Sequence, residues 1–151
     1  MKLEVSVQEL IQRVGDRFGP SPWYRVTQEQ IQRFAEATGD FQWIHVDVKR
    51  AASGPFGGPI AHGYLTLALC PLLLKEVFVV TGTTMDINYG LDRVRFPRPL
   101  RTGAQVQLSG EIVQARLVTE GVQAWLNLVL HDEDDPSKPV CAALSIVRYL
   151  K

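Results

Sequence analysis

The chain has no excess charge of either sign, since its 151 residues include sixteen lysines and arginines and sixteen aspartates and glutamates. This balance argues against a nucleic-acid or anionic-membrane partner, although it leaves room for a local basic patch. Only two cysteines are present, Cys70 and Cys141, too few for a disulfide framework and consistent with a reducing compartment. The apolar run from Tyr64 to Leu74 is too short to span a bilayer. We expect one soluble, cytoplasmic domain over residues 1–151.

The front half of the chain has the spacing of apolar residues that is typical of helices. Two capping-box patterns each precede an apolar stripe and a glycine stop, and each predicts a helix. The first pattern uses Ser6 and Glu9 with a stop at Gly15, and the second uses Thr27 and Gln30 with a stop at Gly39. A short helical turn over Val48 to Ala52, with Asp47 as its cap, and a loop over Gly54 to Pro59 follow.

The segment from Ala61 to Val80 is apolar on nearly every side, which predicts one enclosed helix with a bend at Pro71. The back half alternates with a period of two, so we expect consecutive antiparallel strands, with a bulge near Gly90 to Arg93. The stretch from His131 to Lys138 is predicted to be a hairpin loop, with His131 in solvent. The whole pattern predicts an α+β protein whose sheet curls around the buried helix.

Asp40 and His45 lie in one short segment just past a predicted helix end. A carboxylate and an imidazole there can face one cavity, and each shifts the pKa of the other. By spacing alone, the simpler interpretation is that Asp40 caps a turn and His45 satisfies a backbone group. Gly63 begins the apolar helix, where its N–H could receive a developing oxyanion. Close packing explains this glycine equally well.

Other common sites are disfavoured by the motifs that are missing. The glycine-rich loop has no Gly-Lys-Ser/Thr sequence after it, which excludes a Walker loop. Three scattered histidines without paired cysteines make a metal site improbable, so we expect no metal. A basic segment follows in the second half of the chain and contains Arg93, Arg95, Arg98 and Arg101. Its simpler interpretation is a solvated strand edge rather than a phosphate-binding site.

Three segments together resemble a known family. They are Ala37-Thr38-Gly39-Asp40-Phe41-Gln42-Trp43-Ile44-His45-Val46-Asp47, Gly54-Pro55-Phe56-Gly57-Gly58-Pro59-Ile60-Ala61-His62-Gly63 and Tyr89-Gly90-Leu91-Asp92-Arg93-Val94-Arg95-Phe96-Pro97. The order of Gly-Asp, a histidine five residues later and a downstream His-Gly is similar to the MaoC-like dehydratases. That family includes the (R)-specific enoyl-CoA hydratases and the NodN-like branch. Hydratase members typically have Asn-Pro where this chain has Gln42-Trp43, a departure that bears on the substrate range more than on the chemistry.

The resemblance implies a hot-dog fold, in which a curved antiparallel sheet wraps a long central helix, in a homodimer. It also implies reversible hydration of a trans-2-enoyl-CoA to a 3-hydroxyacyl-CoA in fatty-acid metabolism, with no cofactor beyond the CoA of the substrate. By this resemblance Asp40 and His45 are the catalytic pair, and the Gly63 N–H is the oxyanion donor. The candidate substrate-binding residues are His62, Tyr64, Arg93 and Arg95.

Two other functions stay open from the sequence. A hot-dog thioesterase would place a carboxylate on the central helix, which here carries only Glu76 near its far end. A non-catalytic acyl-CoA binding module is the second alternative. The presence of both Asp40 and His45 argues against that alternative.

Overall fold

A six-stranded antiparallel sheet and a set of short helices make up the fold, as a computed structural model of residues 1–151 shows. The strands are β1 (Leu3–Ser6), β2 (Arg17–Phe18), β3 (Tyr24–Arg25), β4 (Phe78–Thr81), β5 (Met85–Arg95), β6 (Gln105–Val118), β7 (Gly121–Asp132) and β8 (Cys141–Leu150). The helices are α1 (Gln28–Thr38), α2 (Trp43–Val46), α3 (Val48–Ala52), α4 (Gly63–Ala68) and α5 (Cys70–Val77), with a 3-10 turn at Leu10–Arg13.

The main sheet has the strand order β2-β6-β7-β8-β5, and β3 also pairs with β6. A separate parallel pair joins β1 to β4. Strand β7 is buried at alternating positions on one face, as a strand with one face on a core must be. These positions are Val122, Ala124, Leu126, Leu128 and Leu130. Buried residues of α4 and α5 belong to the same apolar core, so the two helices cover this face of the sheet.

The helix caps that carry the site follow the sequence prediction. The Thr27 hydroxyl accepts a hydrogen bond from the Gln30 N–H at 3.2 Å, and α1 ends where Gly39 takes a φ of 80°. The Asp47 carboxylate caps α3 through the Arg50 N–H at 3.0 Å. The predicted bulge is also present, because the pairing of β5 with β8 shifts register twice, first between Asn88 and Gly90 and then between Leu91 and Arg93.

The predicted first helix is wrong. Ser6, its expected cap, is the last residue of strand β1, and the expected span up to Gly15 contains only the 3-10 turn at Leu10–Arg13. The Ser6 hydroxyl donates to the Glu9 carboxylate at 2.6 Å and so does not cap a helix. The apolar residues Leu3, Val5 and Val7 are buried at a spacing of two, and β1 pairs with β4. Pairing with a distant strand therefore overrides the local helical signal.

The predicted central helix is divided rather than bent. Leu69 separates α4 from α5, and Pro71 lies in the first turn of α5, where its missing N–H costs nothing. The last residues of the predicted helix, from Phe78 onward, form β4. One helical face, which includes Pro71 and Leu72, is exposed rather than enclosed within a single chain.

His131 is a further correction, because it lies within β7 and is partly buried rather than free in a loop. The chain continues as a strand to Asp132, whose buried carboxylate is paired with Arg98. Arg98 is therefore an ion-pair partner and not part of a free basic edge. No helix of the structure combines the length and the apolar character needed to cross a membrane.

Candidate active site

Asp40 stands directly after the glycine that ends α1, and His45 lies on the short helix α2 that follows. The left-handed conformation of Gly39 turns the chain, and its N–H bonds back to the Ala35 carbonyl at 2.8 Å. The Asp40 carboxylate accepts a hydrogen bond from the Gln42 N–H at 3.3 Å and remains exposed. His45 is only 6% exposed. The pair therefore combines an accessible carboxylate with a buried imidazole.

The hydrogen bond of His45 defines which nitrogen is available for chemistry. Its Nδ1 lies 2.7 Å from the Ile60 carbonyl oxygen, which can only accept. Nδ1 therefore carries the proton, and Nε2 is left as the acceptor of the neutral ring. Burial lowers the pKa of His45, and the contact with the Ile60 carbonyl opposes this effect. The ring of His45 is thus neutral at pH 7, with Nε2 as a hydrogen-bond acceptor.

His62 joins the pair from a distant part of the chain. Its ring stacks on that of His45, with centroids 3.9 Å apart and planes at 22°. Its Nε2 lies 2.9 Å from the backbone carbonyl oxygen of Asp40. One carboxylate oxygen of Asp40 and one ring nitrogen each of His45 and His62 lie within 4.8 Å of one another. The structure therefore assembles the sequence candidates from two segments into one cluster.

This cluster contains the ligand types of a metal site, but its ring geometry is unfavourable for one. A metal ion needs lone pairs that converge on it at about 2.0–2.1 Å from each nitrogen. Two stacked imidazoles hold their lone pairs in nearly parallel planes, and one nitrogen of each ring already faces a backbone carbonyl. The absence of a metal and of a bound cofactor stays a prediction of the sequence.

Gly63 is the first residue of α4, and its N–H makes no hydrogen bond within the chain. The Phe96 ring lies against its Cα, because a Cβ on Gly63 would come within 2.8 Å of that ring. Contact with Phe96 therefore favours glycine here, because a larger residue would have to displace that ring. The sequence does not predict this contact, since Phe96 is 33 positions away.

Two of the predicted substrate-binding residues lie away from the cluster. Arg93 and Arg95 pair with Leu144 and Ala142, on the face of the sheet that β7 exposes through Asn127. The helices cover the opposite face, so one chain does not bring these arginines to Asp40. Tyr64 follows Gly63 but is 74% exposed, with its ring edge toward Phe96 at 6.5 Å between centroids.

A cavity of about 530 Å³ begins one helical turn beyond Gly63. Leu67, Pro71 and Leu74 line it from the helices, and strands β5 and β8 close the other side. Tyr149 of β8 also lines it and is almost fully buried. The helical lining follows from the apolar stripe of the sequence. The contribution of Tyr149 does not, because a buried tyrosine on a strand has the same pattern as a core residue.

Comparisons with known proteins show the family of the chain. Residues 9–131 match the family described as MaoC like domain. The chain is 46% identical over 151 residues to 3-hydroxyacyl-thioester dehydratase Z of Mycobacterium tuberculosis, covering 99% of each chain. It is 40% identical over 142 residues to nodulation protein N of Rhizobium meliloti, covering 93% of this chain and 88% of that protein.

The solved structures share the architecture. A monoamine oxidase regulatory protein from Archaeoglobus superposes with a TM-score of 0.75 at 26% identity, over 91% of this chain and 90% of that one. The (R)-hydratase from A. caviae superposes with a TM-score of 0.73 at 23% identity, over 90% and 96%. The fold is thus a hot-dog domain with a clustered aspartate and histidine pair. The chain belongs to the MaoC-like dehydratase family.

Proposed function

We propose that the protein is an (R)-specific enoyl-CoA hydratase, a hydro-lyase that adds water reversibly to a trans-2-enoyl-CoA to give a 3-hydroxyacyl-CoA. The observation that carries this proposal is that the exposed Asp40 carboxylate lies within 4.8 Å of the neutral ring of His45. Gly63, with its unbonded N–H, is the neighbour of His62 in this cluster. Relatives whose names describe dehydratases support the same reaction.

The two side chains suit the activation of one water molecule. A water between them donates one hydrogen to the Asp40 carboxylate and the other to Nε2 of His45, which leaves its lone pair for attack on C3. Asp40 takes a proton as the new C–O bond forms and the electrons of the double bond move toward the thioester. The proton held by Asp40 then passes to C2, which restores the carboxylate and completes the addition of water across the double bond. Dehydration is the reverse.

The thioester oxygen needs stabilisation while enolate character builds. The free N–H of Gly63 lies at the positive end of α4 and is the donor that we assign to this oxygen. The acyl chain then runs from Gly63 into the cavity beside Leu67, because residues four apart share one helical face. Its volume of about 530 Å³ lies within the usual range of small-molecule sites.

We further propose that two copies of the chain form a homodimer in the cytoplasm. Strand β5 ends the main sheet without a partner on its outer edge, and unpaired edges are normally covered. Ile87, Tyr89 and Leu91 of this strand are exposed apolar side chains. A continuous sheet across two subunits would pair the edge. Both cysteines are buried free thiols, which suits a reducing compartment.

An assay with crotonyl-CoA tests the reaction. Loss of the conjugated enoyl absorbance without release of free CoA is the expected result. Release of free CoA would instead indicate a thioesterase, for which the exposed Glu76 of α5 is the sole carboxylate on α4 or α5. Neither signal, with crotonyl-CoA and with a medium-chain enoyl-CoA, would indicate a binding module.

A further inference from the structure

His62 contacts both members of the proposed catalytic pair through its side chain. It is only 2% exposed. Its Nε2 faces the backbone oxygen of Asp40 at 2.9 Å, and that oxygen can only accept, so Nε2 carries the proton. The flat face of the same ring lies against His45, 3.9 Å from ring to ring. One buried side chain therefore contacts both the backbone of Asp40 and the ring of His45.

The main chain of His62 is itself held in place. Its carbonyl accepts hydrogen bonds from the Thr66 N–H at 3.0 Å and the Thr66 hydroxyl at 3.2 Å. The ring of Phe34, on α1, packs beside the His62 ring with centroids 4.9 Å apart. The residue is thus fixed between α1 and α4, and its side chain has little freedom to move.

The position of His62 in the chain gives these contacts a consequence for the reaction. Gly63, the assigned oxyanion donor, is its immediate neighbour. The hydrogen bond from His62 to Asp40 therefore ties the start of α4 to the turn after α1, two segments that are 22 residues apart. This hydrogen bond sets the distance between the Asp40 carboxylate, which activates water, and the Gly63 N–H, which stabilises the charge on the thioester oxygen. Errors of about 1 Å in that separation can cost about a hundredfold in rate.

We propose that His62 is a positioning residue that holds Asp40 and His45 in register with the Gly63 N–H. This role rests on the proposed hydratase function. It differs from the substrate contact expected for His62 in the sequence, because the ring is buried behind His45 and neither of its nitrogens is exposed to a ligand. Nε2 is hydrogen-bonded to the backbone oxygen of Asp40, and Nδ1 is buried without a hydrogen-bond partner.

Two variants separate the contacts of His62. His62→Phe keeps an aromatic ring against His45 but cannot donate to Asp40. His62→Gln loses the ring but keeps an N–H donor near the position of Nε2. We expect His62→Phe to lower kcat for enoyl-CoA hydration by about 10- to 100-fold with KM changed by less than about threefold. We expect His62→Gln to keep kcat within about fivefold of the wild type, because the tie to Asp40 survives.

Three results would overturn the proposal. These are a His62→Phe enzyme whose kcat stays within about threefold of the wild type, a rise in KM at constant kcat, and a His62→Gln enzyme as slow as His62→Phe. Circular dichroism and melting temperature check that each variant is folded. If the role of His62 were purely structural, both variants would lose stability, and the kcat of His62→Gln would not exceed that of His62→Phe.

Nitrogen NMR of the wild-type histidine rings tests the geometry without any variant. We expect the Nε2–H form for His62 and the Nδ1–H form for His45 at neutral pH. The Nδ1–H form for His62 would overturn the tie to Asp40. If the wild type does not hydrate any enoyl-CoA, the proposed function fails. The NMR result then still decides whether His62 bonds to Asp40, so the two failures are distinguishable.

Discussion

At the scale of single residues, the state of His45 follows from one hydrogen bond and from burial. The Ile60 carbonyl fixes the proton on Nδ1, and burial keeps the pKa of the ring below its usual value of 6.5. The neutral ring is the form that accepts a hydrogen bond from water. Activity should therefore depend on His45 remaining unprotonated.

This gives a pH prediction with a definite sign. A lowered pKa means that the neutral form persists as the pH falls through 6.5. We expect kcat/KM to hold at pH 6.5 and to decline only at lower pH. The measurement is the pH profile of enoyl-CoA hydration, with His45→Gln as the control that should lack this limb. A decline with its midpoint above pH 6.5 would contradict the assignment.

The stability of the fold should follow the same group. The unfolded chain protonates His45 at about its ordinary pKa, whereas the folded chain resists protonation. The free energy of unfolding should therefore fall as the pH drops from about 6.5 through the lowered folded-state pKa. Urea denaturation of the wild type and of His45→Gln over this range measures the difference. An equal pH dependence in the two proteins would contradict it.

Asp40 gives the sharpest substitution at this scale. Asp40→Asn keeps the oxygen that accepts from the Gln42 N–H but cannot take a proton from water. Loss of a general base typically costs about 10²–10⁴ in rate. Because Asp40 is exposed, we expect an unchanged melting temperature and retained substrate binding. A folded variant within about threefold of wild-type hydration, far less than such a loss, would show that Asp40 is only a turn residue.

At the scale of elements, the start of α4 offers a test of the Gly63 N–H. Proline is tolerated at the first position of a helix, and the extended ψ of 139° at His62 suits a residue before proline. Gly63→Pro therefore removes the N–H while α4 is preserved. Gly63→Ala is the matched control, because it makes the same Cβ contact with Phe96 and keeps the N–H.

We expect Gly63→Pro to be slower than Gly63→Ala by about 10²–10³ in kcat, the range found when one oxyanion donor is lost. Initial rates of crotonyl-CoA hydration by the two folded proteins give this ratio directly. Comparing the variants with each other cancels the shared displacement of Phe96. Equal rates in the two would remove Gly63 from the mechanism.

The elements also show how far local sequence signals reach. Thr27 and Gly39 bound α1 as predicted, since a cap and a left-handed stop are satisfied within a few residues. The pattern at Ser6 failed because β1 gains its hydrogen bonds from β4, which is far away in the chain. The single helix predicted from Ala61 to Val80 was wrong at its end for a similar reason. Its last residues, from Phe78, are buried in either a helix or a strand, and only pairing with β1 decides between them.

At the scale of the whole molecule, the site is assembled from segments that the sequence keeps apart. The spacing of Asp40 and His45 is local, so a motif could identify them. The stack of His62 on His45 and the contact of Phe96 with Gly63 depend on tertiary packing, and no spacing predicts them. The sequence likewise could not predict that Arg93 lies on the face of the sheet opposite the helices, because this depends on the register of β5 with β8.

The unpaired edge of β5 gives a prediction for the assembly. We expect light scattering at micromolar concentration to report twice the 16.9 kDa mass of one chain. Ile87→Lys places a charge on that edge strand and should shift the mass toward the monomer, because charged side chains disfavour edge pairing. The matched control is Val113→Lys, which places the same charge on an exposed position of β6. A wild-type mass near that of one chain would contradict the dimer.

In the proposed mechanism, Asp40 and His45 direct water to one face of an enoyl thioester. The most direct measurement of this step is the identity of the product that the wild type forms from crotonyl-CoA, resolved by chirality, with Asp40→Asn as the blank. We expect (R)-3-hydroxybutyryl-CoA with no free CoA from the wild type, and little product from Asp40→Asn. Free CoA, the (S) product, or equal turnover by the blank would contradict this mechanism.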